Sequence, residues 1–181
     1  IKVHGYAKAI GTAEELDERT MLILETAAYV HDIGIKISEE KYNSSAGKYQ
    51  EIEGPPIAEE MLTKLGYDKD VIERVSYLVG HHHTYSNIDG IDYQILVEAD
   101  FLVNIDEDEM TKETAKNVRE KIFKTKSGTQ MLDNLFLTEL IMPLRSFKGC
   151  KRYNKEKGNG EKQCYGGAVF LHVYKLFIRD A

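Results

Sequence analysis

The chain has 181 residues, of which 42% are apolar and 30% are charged. This balance is typical of one folded domain and excludes a disordered or fibrous protein. No apolar run approaches the roughly 20 residues of a membrane-spanning helix, so we expect no membrane partner. Two cysteines are too few for a disulfide scaffold, which favours a cytoplasmic protein.

The net charge of −6 is unevenly distributed along the chain. Residues 1–110 carry 9 basic and 23 acidic side chains, whereas residues 111–181 carry 15 basic and 7 acidic ones. Because phosphate backbones require clustered cations, the acidic part of the chain disfavours binding of a long nucleic acid.

Apolar residues recur at helical spacing through most of the chain, which predicts an all-α bundle of about six or seven helices. His4 lies near the start of the first helix. Thr12 and Glu15 form a capping-box pattern and predict that the next helix covers residues 14–30. Residues 37–54 are rich in serine and asparagine at their centre and predict an extended loop.

Turn and capping residues delimit the later helices. Pro55 and Pro56 are predicted to begin a helix that Gly66 ends, and Asp68 to cap the following one. The later predicted helices cover residues 55–65, 69–79, 92–105, 112–125 and 129–142. The glycines and lysines beyond follow no regular pattern. We therefore divide the chain into a helical domain, 1–142, and an irregular C-terminal extension, 143–181.

Histidines and aspartates lie at positions where they are costly unless they have a function. His31 and Asp32 follow the apolar end of a helix, and Asp100 lies inside the most apolar helix. A buried carboxylate must pair, be protonated or bind a metal. His4 and the consecutive histidines 81–83 lie near the ends of other helices. Imidazole and carboxylate ligands together suit a divalent transition metal.

This order of residues, H…HD…D on helices, resembles the HD-domain metal-dependent phosphohydrolase superfamily over roughly residues 1–125. The resemblance implies an HD-type helical fold in which His4, His31, Asp32 and Asp100 bind Fe, Mn, Ni, Co or Zn. Such a metal activates water and polarises a phosphoryl oxygen. The implied activity is hydrolysis of a phosphoester in a small phosphorylated substrate such as a nucleotide, with Asp32 in the catalytic centre.

The resemblance also raises the possibility of a second ion. His82 and His83 resemble the paired histidines of a second site in two-metal relatives, and Glu53 occupies the place of a further histidine. With one ion only, one of these two histidines is expected to act as a general acid or phosphate donor. Ile35 replaces the family's lysine after His-Asp-x-Gly, and Lys48 is the substitute candidate for phosphate binding.

Two other functional classes stay open at this point. One is a regulatory module that holds a metal and a nucleotide without turnover. The other is a di-iron oxygenase, because one branch of the superfamily oxidises its substrate with the same ligands. The sequence also leaves open whether the chain forms a homo-oligomer.

Overall fold

Eight α-helices and one π-helical segment make up residues 1–138, the part of the chain that the computed structural model describes. The elements are α1 (Lys2–Ala13), α2 (Glu18–Val30), α3 (Ile35–Tyr42), α4 (Gly47–Leu65), α5 (Lys69–Val79), α6 (Ile91–Glu107), α7 (Lys112–Ile122), α8 (Lys126–Leu132) and the π-helical segment Asp133–Leu137. These residues contain no strand, which confirms the all-α prediction. None of their helices is long and apolar enough to cross a bilayer.

Helix α6 is the central helix, because eleven of its 17 residues are buried. It packs against α1 and α2, and α2 also packs against α5. The longest helix, α4, lies against α5 and α3. The core therefore forms between α1, α2, α5 and α6, and α4 covers one side of α5.

The predicted start of the second helix was wrong. Thr12 belongs to α1, where its hydroxyl donates to the carbonyl of Lys8 over 2.8 Å. Glu15 adopts a φ of 55° in the turn that follows α1. The cap of α2 is Asp17, whose Oδ1 accepts from the backbone N–H groups of Arg19 and Thr20. A capping pattern in sequence therefore lay one turn ahead of the side chain that caps the helix.

The extended loop predicted at residues 37–54 was also wrong. Helix α3 fills its first part and ends at Asn43, whose φ of 50° is left-handed. Helix α4 then begins at Gly47 and continues through Pro55 and Pro56. Prolines lack an N–H and break the internal hydrogen bonding, so they were expected at a helix start. Here they lie in the middle of a helix that packs against α3 and α5.

Other predicted boundaries are confirmed. Helix α4 ends at Gly66, whose φ of 79° suits glycine, and α6 covers the predicted buried helix. The prediction that Gly128 separates two helices was wrong, because Gly128 lies inside α8. The end of the predicted helix at 129–142 and the extension at 143–181 lie outside the described residues.

Candidate metal centre

The His-Asp dipeptide lies in the turn that follows α2, and α4 holds this turn in place. His31 is the C-terminal cap of α2, and Asp32 follows it with its side chain half exposed. Gly34 ends the turn so close to α4 that a Cβ atom there would lie 2.8 Å from the carbonyl oxygen of Gln50. Only glycine allows the turn to approach α4 this closely.

Three of the predicted ligands meet where this turn faces α6. The Nε2 of His31 lies 3.2 Å from Oδ2 of Asp32 and 3.6 Å from Oδ1 of Asp100. His31 and Asp100 are both buried. The other oxygen of Asp100, Oδ2, accepts from the amide of Asn104 over 3.1 Å. Asp100 therefore directs one fixed oxygen towards His31.

The histidines that follow α5 reach the same place. Nε2 of His82 lies 3.7 Å from Oδ1 of Asp32. One ligand atom from each of Asp32, His82 and His83 lies within 4.8 Å of the others. Asp32 thus has one oxygen near His31 and the other near His82. The two oxygens of this carboxylate therefore face different imidazoles.

The imidazoles are oriented as metal ligands are. Nδ1 of His31 donates to the carbonyl of Ala28 over 3.1 Å, and Nδ1 of His82 donates to the carbonyl of Val79 over 2.8 Å. With each Nδ1 donating to a carbonyl, Nε2 is the ring atom left to face the carboxylates, and in the neutral ring it presents a lone pair. The Nε2 atoms of His31, His82 and His83 are buried and have no hydrogen-bond partner within residues 1–138. Buried polar atoms without partners are rare. The donor set therefore fits a divalent transition metal.

The charges of the site favour a bound cation. Burial lowers the pKa of His31, but the neighbouring carboxylates of Asp100 and Asp32 outweigh burial and raise it to about 9. Burial raises the pKa of Asp32, but its contacts with His31 and His82 outweigh burial and hold that pKa well below its usual range. Burial, followed by the charge of His82, lowers the pKa of His83. A cation at Nε2 of His31 would replace the proton that the carboxylates attract.

A residue outside the predicted ligand set holds the turn after α5 that contains His82 and His83. Oε1 of Glu51 accepts from the backbone N–H of His83 and from the hydroxyl of Thr84, both over 3.0 Å. Sequence reasoning selected Glu53 and missed Glu51. Two residues along a helix correspond to a rotation of roughly 200°, so the two glutamates face opposite sides of α4. The sequence alone does not distinguish the two glutamates, because this segment was predicted to be a loop and not a helix.

Glu53 and Lys48 are not among the side chains that surround Asp32 and Asp100. Glu53 accepts from Nζ of Lys41 over 2.6 Å and from the hydroxyl of Tyr42 over 2.7 Å. Lys48 is exposed near the start of α4, with its Nζ 4.6 Å from the centroid of the Tyr49 ring. Glu53 therefore faces α3, and Lys48 lies beside Tyr49, whose ring stacks on that of Tyr42.

His4 is partly buried on α1 and has other partners. Its Nε2 lies 2.7 Å from Oε2 of Glu25, and its ring stacks on Tyr29 with a centroid distance of 4.0 Å. Glu25 also accepts from Lys8 over 3.2 Å. These contacts place His4 beside α2, the helix that carries His31 at its end.

An all-α fold that gathers imidazoles and carboxylates at one place defines a helical protein with a candidate metal centre. A family model described as "HD domain" matches residues 2–125, more than half of the chain. The chain therefore belongs to the HD-domain family, which confirms the resemblance seen in its motifs. HD domains bind divalent metals, and most members of the superfamily are metal-dependent phosphohydrolases. No curated protein and no solved structure matches the chain.

Proposed function

We propose that the chain is a metal-dependent phosphohydrolase that hydrolyses a phosphoester bond in a small phosphorylated substrate, a nucleotide. One observation carries the proposal: three buried imidazole Nε2 atoms, which have no hydrogen-bond partner among the described residues, converge on the carboxylates of Asp32 and Asp100. The family to which the chain belongs supports the same reaction. The proposed cofactor is Fe, Mn, Ni, Co or Zn, as one or two ions.

The proposed ligands are His31, Asp32 and Asp100 for the first ion, with His82 and His83 for the second. A bound divalent metal supplies Lewis-acid activation of water and of a phosphoryl oxygen. In hydrolysis a water oxygen bonds to phosphorus, the bond to the leaving oxygen breaks, and that oxygen takes up a proton. When only the first ion is bound, the imidazole of His83 carries no metal, and its lowered pKa favours the neutral ring, which can accept the proton of the water.

Three further residues are proposed in addition to these. His4 is proposed as a ligand of the first ion, either through Nδ1 with Nε2 still bonded to Glu25 or through Nε2 after it leaves Glu25. Glu53 as a second-site ligand requires the loss of its bonds to Lys41 and Tyr42. Lys48 is exposed and close to the start of α4, where it is available to a substrate phosphate.

The proposal is tested with purified protein, its metal content and a panel of substrates. Wild type is assayed with nucleotides, other phosphomonoesters and cyclic phosphodiesters in the presence of Mn, Co, Ni, Fe or Zn. We expect metal-dependent release of product, and a loss of at least about 100-fold in Asp100→Asn, because this change removes the charge of a ligand.

The matched control is Asp106→Asn on the same helix, α6. The Asp106 side chain is largely exposed, and its nearest cationic partner is Lys2, at 3.5 Å. This variant should keep both metal and activity. A wild-type protein that binds no metal, or that hydrolyses none of the substrates with any of the metals, would contradict the proposal.

A further inference from the structure

One face of α4 contacts both turns that carry the proposed metal ligands. Steps of three and four residues place four positions on this face: Gly47, Gln50, Glu51 and Gly54. At the turn after α5, a Cβ atom at Gly47 would lie 2.6 Å from the Cγ and Cδ2 atoms of His83. The backbone N–H of His83 donates to Oε1 of Glu51 over 3.0 Å.

The same face of α4 also contacts the His-Asp turn. A Cβ atom at Gly34, two residues after Asp32, would lie 2.8 Å from the carbonyl oxygen of Gln50 and 2.9 Å from the backbone nitrogen of Gly54. Gln50 therefore belongs to the face of the helix that joins the turn of Asp32 to the turn of His83.

The side chain of Gln50 buries an amide oxygen that lacks a donor. The residue is 5% exposed, and its Nε2 donates to the carbonyl of Ser45 over 2.7 Å. Because a carbonyl only accepts, this bond assigns the amide nitrogen to Ser45 and leaves Oε1 as the other atom. Oε1 has no hydrogen-bond partner within residues 1–138. A buried polar atom without a partner costs about 1–3 kcal/mol, so we expect Oε1 to bind a further group.

The two turns joined by this face contain further buried atoms of the same kind. The Nε2 atoms of His31, His82 and His83 are also buried and have no hydrogen-bond partner in the described part of the chain. Imidazole nitrogens and amide oxygens share the property of offering a lone pair. A divalent cation binds both kinds of atom, so one class of ligand satisfies all four.

We propose that Gln50 binds the second ion of the candidate metal centre through Oε1, together with His82 and His83. This inference rests on the proposed function in its two-ion form, to which it adds a ligand and a metal preference. Carbonyl oxygens suit Mn²⁺ better than they suit Zn²⁺, for which imidazole is the better ligand. Gln50 therefore favours Mn²⁺ at the second position.

Two substitutions of Gln50 isolate the contribution of the oxygen. Gln50→Met has a side chain of similar length without the oxygen, and Gln50→Glu keeps an oxygen and adds a negative charge. Both lose the bond from Nε2 to Ser45, so a difference between them reports on the oxygen. The measurement is calorimetric titration of the metal-free protein with Mn²⁺ and, separately, with Zn²⁺.

We expect wild type to bind two Mn²⁺ ions per chain. Gln50→Met should bind the second ion at least about tenfold more weakly, with a smaller loss for Zn²⁺. Gln50→Glu should bind the second Mn²⁺ at least about threefold more tightly, because a ligand with a charge replaces a neutral one. A purely structural role of Gln50 would instead weaken binding in both variants.

Gln130→Glu is the control for added charge, because Gln130 is exposed on α8, and it should bind Mn²⁺ as wild type does. Thermal unfolding checks that each metal-free variant is folded, and Gln50→Glu decides alone if Gln50→Met does not fold. A single Mn²⁺ per chain in wild type, or affinities for the second ion that are equal in wild type and variant, overturns the inference. Equal losses in Gln50→Met and Gln50→Glu do the same.

The proposed function is tested separately, because hydrolysis with one ion is measured with the panel of substrates. A second Mn²⁺ whose affinity depends on Gln50 supports the inference even if the protein hydrolyses none of them, in which case only the proposed function fails.

Discussion

The candidate ligands His82 and His83 owe their positions to residues outside the ligand set. Tyr93, which is 1% exposed, points its hydroxyl at the carbonyl of His81 over 2.5 Å and at that of Thr84. Glu51 accepts from the other side of the same turn. The turn is thus held between α4 and α6. Because metal sites depend on oriented ligands, these contacts should matter for metal binding.

The change Tyr93→Phe tests this role. It removes one hydroxyl from a buried site and leaves the facing carbonyls unpaired, which should lower the free energy of unfolding by about 1–3 kcal/mol. Loss of the turn's orientation should also weaken Mn²⁺ binding by about tenfold or more. Urea denaturation measures the first effect and calorimetric titration with Mn²⁺ the second.

Tyr77→Phe is the matched control for Tyr93→Phe. Tyr77 is partly exposed on α5, and its hydroxyl makes no hydrogen bond within residues 1–138. This variant should change neither stability nor Mn²⁺ binding. If Tyr93→Phe binds Mn²⁺ as tightly as wild type does, the hydroxyl does not position the histidines.

At this scale the sequence reveals residue types but not their partners. His31, Asp32 and Asp100 could be selected because a histidine or carboxylate in an apolar setting is costly, and the structure places them together. Tyr93 could not be selected, because a tyrosine in an apolar helix is ordinary core composition. Its role depends on a turn that only the folded chain brings to its hydroxyl.

Helix α2 depends on the cap that the sequence pattern missed. The side-chain hydrogen bond from Thr20 is the main reason why the pKa of Asp17 is lowered, and backbone N–H groups of Thr20 and Arg19 add to it. A lowered pKa in the folded state means that the ionised cap stabilises the protein. This stability is present at neutral pH and is lost as acid protonates the carboxylate.

We therefore expect Asp17→Ala to unfold more easily than wild type at pH 7. The difference between the two proteins should shrink as the pH falls through and below the usual range of an aspartic acid. Thermal unfolding followed by circular dichroism at several pH values measures it. Glu15→Gln alters a residue of the capping-box pattern that does not cap α2, so this variant should behave like wild type. A difference that is the same at all pH values would show that Asp17 does not act as an ionised cap.

Replacing a proline inside α4 is expected to raise the free energy of unfolding. Pro56 is exposed and lacks the N–H that would donate to the carbonyl of Ile52. Pro56→Ala should restore this bond, while the more flexible unfolded chain offsets part of the gain. The net increase in the free energy of unfolding should be about 1–2 kcal/mol, measured by urea denaturation.

Pro55→Ala is a useful comparison, because Pro55 lies close to Gly80 at the end of α5. Its ring has a packing role that Pro56 lacks, so its replacement should stabilise the protein less. If Pro56→Ala is no more stable than wild type, α4 is not a continuous helix at this point.

The loop prediction for residues 37–54 failed because local turn signals were outweighed by the packing of α4 against α3 and α5.

For the whole molecule, the structure adds what the order of residues does not contain. Asp100 lies in α6, and the fold brings it 3.6 Å from His31 at the end of α2. Glu98, two residues earlier, is fully buried and accepts from the N–H groups of Lys124 and Thr125, which fixes the α7–α8 junction on the same helix. One central helix thus carries both a proposed metal ligand and a structural anchor.

This arrangement predicts that metal binding and global stability are linked. A metal that binds only the folded chain raises the free energy of unfolding, by about 2.7 kcal/mol when its free concentration is 100 times its Kd. We expect Mn²⁺ or another proposed metal to raise the melting temperature of wild type and a chelator to reverse the shift. Scanning calorimetry at fixed protein concentration is the measurement.

The shift should disappear in Asp100→Asn and persist in Asp106→Asn, which alters an exposed carboxylate of the same helix. A shift that both variants keep would mean that the stabilising ion binds elsewhere on the acidic surface. The variant His4→Ala tests whether helix α1 contributes a ligand to the same ion. A smaller shift in this variant would show that His4 contributes to binding of the ion, in addition to its contact of 2.7 Å between Nε2 and Oε2 of Glu25. An undiminished shift would restrict the centre to the helix ends around Asp32.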